Sequence, residues 1–111
     1  MKIYLAGPDV FRPDVHEWAE TARATCSRYG YEALIPIDHG ETEANRIFQT
    51  NLDLIRKAQI IVANLNPFRG TEPDSGTCFE MGYAIYSWLA RTHRWLNFRP
   101  HKTPAALLEG R

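Results

Sequence analysis

Two carboxylates, Asp74 and Glu80, flank the short turn Ser75-Gly76-Thr77 in a chain of 111 residues, and no other stretch is better furnished for chemistry. The turn follows an apolar run, Ile60-Ile61-Val62-Ala63, and opens a helical pattern. Loops at strand ends of open α/β sheets are where ligands bind, because the next helix aims its N-terminal N–H groups into the same crevice. A carboxylate near the start of such a helix is held as an anion facing the ligand, which is what a nucleophilic carboxylate requires. Spacing alone allows another reading: Thr77-Cys78-Phe79-Glu80 fits a capping box, in which the two side chains satisfy backbone N–H groups at the helix start.

The elements that must position this turn can be traced along the chain. Lys2 to Ala6 reads as a buried strand ended by Gly7-Pro8-Asp9. Pro13-Asp14 starts a helix to about Tyr29, with Val15, Trp18, Ala22 and Cys26 on one face, and Gly30 closes it. Glu32 to Ile37 reads as a second strand, whose Pro36 places it at an edge or a strand end. After a polar loop, a helix is expected from Glu43 to Ala58 with a stripe of Ile47, Phe48, Leu54 and Ile55 and with Asn51 beside it. The run Ile60 to Ala63 is continuous and apolar, so it is expected to be the central parallel strand, buried on both faces. A third helix should run from Thr77 into the low nineties with Phe79, Tyr83, Tyr86 and Leu89 on its buried side.

Strands alternating with helices predict right-handed crossovers and one α/β domain over residues 1–111, a flavodoxin- or Rossmann-like three-layer sandwich with a short parallel sheet. Further strands are needed to cover the outer side of the third. The remaining candidates are Trp95-Leu96-Asn97-Phe98 and Ala105-Ala106-Leu107-Leu108, the latter closer in pattern to a short helix after Pro104. The sheet is therefore expected to lack one or two C-terminal strands.

Thirteen basic and thirteen acidic residues cancel, which gives no general case for a nucleic acid polymer or a membrane surface as partner. The balance is uneven, since Arg91, Arg94, Arg99, Lys102 and Arg111 face only Glu109 after residue 90. Cys26 and Cys78 do not make a disulfide framework or a zinc site, and with no apolar leader or spanning segment the expectation is a reduced, cytoplasmic protein. His16, His39, His93 and His101 lack the spacing of metal or catalytic histidines and read as surface or helix residues.

From Ala63 to Ala84 the sequence ANLNPFRGTEPDSGTCFEMGYA resembles the signature of the nucleoside 2-deoxyribosyltransferase family. Asn51 to Gln59 precede it in the family manner, with Gln59 where an Asp is usual, and Ile3-Tyr4-Leu5-Ala6-Gly7-Pro8 with Phe11 matches the first strand and loop. The resemblance covers residues 1–86. It implies exchange of the base of 2′-deoxyribonucleosides with retention, on small-molecule substrates and without a metal or organic cofactor. Glu80 then matches the nucleophile that forms a deoxyribosyl ester, Asp74 the carboxyl that moves a proton on the base, and Tyr4 a phenol that orients the nucleophile.

The resemblance also carries Gly7, Asn64, Phe68 and Gly76 over as substrate-binding positions. Asn51 stands where some relatives contact the base with Asp, Asp9 and Phe11 could line the base pocket, and Arg69 either clamps a substrate oxygen or pairs with Glu72 or Asp74. Cleaving an N-glycosidic bond agrees with two carboxyls, since one must meet the anomeric carbon and a proton must reach the departing base.

Residues 87–111 depart from the family, whose C-terminal region supplies sugar contacts, often across the interface of a homo-oligomer. Two other readings stay open: an N-glycosidase that passes the deoxyribosyl group to water, and a truncated, catalytically weak remnant that binds nucleosides.

Overall fold

The computed structural model describes residues 1–37 and 42–92, with side chains to residue 88. His39, His93, His101, both candidate late strands and all the tail charges but Arg91 lie outside the described residues.

The chain forms β1 (Lys2–Ala6), a 3-10 turn (Pro8–Phe11), α1 (Val15–Arg28), β2 (Glu32–Leu34), α2 (Ala44–Lys57), β3 (Ile60–Ala63) and α3 (Ser75–Thr92). The three strands are parallel in the order β2-β1-β3. The first crossover steps to one side of β1 and the second steps back over it, so right-handed connections put α1 and α2 on opposite faces. Accordingly α1 packs on β2, whereas α2 and α3 pack on each other and on β1. The result is the α/β three-layer arrangement expected from the sequence.

The expectation for β3 requires correction. β1, not β3, is the middle strand, and Tyr4 at its centre is fully buried between Leu34 and Ile61 in the register. β3 pairs on one side only among the described strands, and its Val62 is 52% exposed. Two crossovers in opposite directions necessarily leave the first strand in the middle, and an apolar run does not encode that order. β2 also ends at Leu34, three residues early, because Pro36 has no N–H to continue the ladder.

The core lies on the α2/α3 face, where Tyr4, Ala6 and Leu34 meet Leu52, Ile55, Ala58 and Ala84. Each large aliphatic side chain buried there contributes about 1.5–3 kcal/mol. α3 comes close to the sheet through small residues, Thr77, Ala84 and Ser87, all buried. That close approach turns Phe79 and Tyr86 to the exposed side, against the expectation that aromatics mark the buried face; Tyr83 is half-buried and Leu89 lies beyond the described side chains. On α2, Phe48 is likewise exposed, while Leu52 takes the core position. Among the described residues no helix is long and apolar enough to cross a membrane.

Candidate active site

The C-terminal ends of β1, β2 and β3 deliver three loops to one end of the sheet. There the segments 7–11, 36–37 and 64–76 meet the start of α3 and the inner side of α2 around a cleft of about 490 Å³. Gly7, Phe11, Asn51, Asp74, Gly76 and Glu80, all singled out in the sequence, line it. A neighbouring lobe of about 630 Å³ shares Phe11, Ile47, Asn51, Gly76 and Glu80 and runs outward between α2 and α3 to Phe48 and Phe79.

Glu80 sits in the second turn of α3 and accepts a hydrogen bond from the Tyr4 hydroxyl, which rises from the centre of β1. Burial and, after it, the Glu80 charge and hydrogen bond push the Tyr4 phenol far above its ordinary range, so it stays protonated and donates. Burial likewise raises the Glu80 pKa, and the nearby Asp74 charge raises it further, while the Tyr4 hydrogen bond works against both.

Asp74 is the N-cap of α3. Its Oδ2 accepts from the Thr77 backbone N at 2.9 Å and from Thr77 Oγ1 at 2.8 Å, and its carbonyl accepts the first helical bond, from Cys78 N at 3.2 Å. The helix therefore starts two residues before Thr77, and the capping box of Thr77 with Glu80 does not form. The physical reason is that Asp caps at least as well as Thr, and a cap at Asp74 places Glu80 too deep in the helix to reach back. Asp74 Oδ1 has no hydrogen-bond partner among the described residues, and the carboxyl borders the cleft.

Other candidate residues are brought together differently from the sequence expectation. Asn64 Nδ2 donates to Asp9 Oδ2 at 2.9 Å, Asn64 N donates to the Ala6 carbonyl at 2.8 Å, and Asn64 Oδ1 accepts from Asn66 N at 3.1 Å. Asp9 and Asn64 thus spend polar atoms on each other, tying the β1 loop to the β3 loop, and neither borders the cleft or its lobe. Gly7 lies between them: a Cβ there would stand 2.9 Å from Asn64 Cβ. Phe68 stacks on Phe11, with centroids 5.6 Å apart and planes at 13°, and Arg69 lies over both rings, at 4.8 Å from Phe68 and 5.5 Å from Phe11. Among the described residues Arg69 makes no ion pair with Glu72 or Asp74.

Val10, Pro36, Ile37 and Ile47 complete the cleft and were not among the site residues expected from the sequence. Pro36 and Ile37 lie just past the carboxyl end of β2, and the rule that ligands gather at carboxyl ends of parallel strands would have found them. Among the described residues no group of three or more His, Cys, Asp or Glu side chains could hold a metal ion.

The arrangement offers an ionisable carboxyl fixed by a buried phenol, a second carboxyl nearby, and apolar and aromatic walls for a flat ligand. The sequence profile described as nucleoside 2-deoxyribosyltransferase matches residues 3–89. No curated protein matches the chain. The structure is similar to that of the 2-desoxiribosyltransferase from Leishmania mexicana, with a TM-score of 0.71 and 44% identity over 77% of this chain and 57% of that one. The chain thus spans little more than half the length of that relative. It shares the fold of the 2-deoxyribosyltransferase from the psychrotolerant bacterium Bacillus psychrosaccharolyticus at a TM-score of 0.58, with 23% identity over 79% of this chain and 67% of that one. The motif from Ala63 to Ala84, the parallel three-strand fold and the match over residues 3–89 together establish that this chain belongs to the nucleoside 2-deoxyribosyltransferase family.

Proposed function

We propose that this chain exchanges the base of 2′-deoxyribonucleosides by double displacement on Glu80. The observation that carries this reading is the Tyr4–Glu80 hydrogen bond at the wall of a cleft that Asp74 also borders. Tyr4 holds Oε2, so Oε1 is the attacking oxygen. It forms a bond to the anomeric carbon as the carbon–nitrogen bond breaks, and the electron pair leaves with the base. Asp74 Oδ1, the oxygen not engaged in capping, relays the proton that neutralises the departing base nitrogen.

A second base then attacks the same carbon from the face the first one left, gives its proton to Asp74, and releases the Glu80 carboxylate. Two inversions give net retention. The leaving and entering bases occupy the same space, stacked against Phe11 and bordered by Asn51 and Ile47, and no external reductant, oxidant or metal enters this balance. Ionised Glu80 is the reactive form, and its raised pKa makes the carboxylate a better nucleophile once the proton is gone.

The test is incubation with 2′-deoxyinosine and free adenine, following 2′-deoxyadenosine by chromatography, with Glu80→Ala in parallel. New nucleoside that vanishes in the variant supports the reading. Hypoxanthine release with no new nucleoside would make water the acceptor, and a folded chain yielding neither product would overturn both.

A further inference from the structure

Phe11 borders both lobes of the cleft, yet it is 62% exposed and lies outside the buried core cluster. Its described aromatic and cationic contacts are with Phe68 and Arg69, neither of which lines the cleft or its lobe. Three features bear on what those two residues do. The loop that carries them is closed by Phe68 N donating to the Glu72 carbonyl at 3.0 Å, which presents Arg69 at its tip. Arg69 holds a left-handed backbone, φ 48°, although it is not glycine, a conformation that costs energy and that surrounding structure must impose. And unlike Arg12, Arg46 and Arg56, which pair with carboxylates, Arg69 forms no ion pair among the described residues and lies over two rings.

We infer that Phe68 and Arg69 are positioning residues that fix the Phe11 ring as a flat wall for the nucleobase. This rests on the reading of the cleft as a base site. Stacking on an aromatic face is available to every base, so a wall of this kind sets affinity for bases in general and leaves the choice among them to Asn51 and Asp74. Arg suits the position because its planar, weakly hydrated guanidinium stacks, which an ammonium does not do as well. The strained backbone is retained because the alternative, a relaxed Arg69, would carry the guanidinium off the rings.

Arg69→Gly removes the cation while suiting the backbone, so it does not threaten the fold. The experiment measures adenine binding by calorimetry for the wild type, Arg69→Gly, Arg69→Lys, Phe68→Leu and the Gly/Leu double variant, with thermal midpoints alongside. The expected result is adenine binding weakened about five- to tenfold in Arg69→Gly, at a midpoint equal to or above wild type, with Arg69→Lys between the two. Phe68→Leu should weaken binding to a similar extent, and the double variant should be little worse than either, since both act through one ring.

Unchanged adenine affinity in Arg69→Gly, or fully additive losses in the double variant, would overturn the inference. A wild-type chain that binds no adenine would overturn it together with the base-site reading. Base-dependent exchange failing while adenine binding shows the expected pattern would sink only the transfer chemistry.

Discussion

The Tyr4 hydroxyl, at the centre of the middle strand, donates to the Glu80 carboxylate in the second turn of α3, joining the most buried part of the sheet to the wall of the cleft. Tyr4 has little room to move, so Glu80 is aimed by the fold itself. The same burial makes the Glu80 charge a cost to stability.

Glu80→Gln should therefore stabilise the fold at neutral pH while abolishing exchange. The folded-state pKa of Glu80 is raised, mainly by burial, so the neutral carboxyl's contribution is complete below its unfolded value, about 4.3, and is lost as pH rises through the folded value. Gln fixes the neutral form and still accepts from Tyr4. Thermal melts should show the variant about 2–5 °C above wild type at pH 7, with the gap closing near pH 4.

Tyr4→Phe keeps the ring that fills the core and deletes the donor. Exchange should fall about 10- to 100-fold. Because the phenol's hydrogen bond lowers the Glu80 pKa, its loss should move the acid limb of the rate–pH profile to higher pH. A profile unmoved in the variant would remove Tyr4 from its orienting role.

The observed cap and the proposed proton relay at Asp74 separate by substitution. Asn caps a helix as well as Asp, so Asp74→Asn should leave the melting midpoint near wild type and cut exchange by about two orders of magnitude or more for want of a proton relay. Asp74→Ala should lose the cap as well, at about 1 kcal/mol in urea unfolding. Equal exchange rates for Asp74→Asn and wild type would confine Asp74 to capping.

Gly7→Ala tests the tie between the β1 and β3 loops. The added methyl would meet Asn64 Cβ at 2.9 Å on a backbone at φ 157°, where a side chain is strained. Urea unfolding should register a loss of about 1–3 kcal/mol. A neutral result would mean that the two loops separate readily.

The sequence made the strands, the three helices and the Asp74/Glu80 turn legible because each rests on local pattern, and the Ala63–Ala84 motif is dense enough to name a family. What it did not show depends on partners distant in the chain. Strand order follows from crossover direction, so the apolar β3 looked central while Tyr4, in a more polar run, held the middle. The capping box failed because Asp74, three residues earlier, competes for Thr77 N, and spacing alone does not rank two caps. Asp9 was expected at the base pocket from its place in the first strand-end loop, and Asn64 from the family resemblance. That they satisfy each other follows only once the ends of β1 and β3 are side by side.

The central claim, a covalent deoxyribosyl group on Glu80, is tested most directly by acid-quenching the chain during turnover of 2′-deoxyinosine and mapping the product by peptide mass spectrometry. The mechanism requires a deoxyribosyl adduct on the peptide containing Glu80, absent in Glu80→Gln and depleted when excess adenine is added before the quench. Base release at a measurable rate with no adduct on that peptide under any quench would contradict it and leave Glu80 a charge beside the reaction rather than the group that carries the sugar.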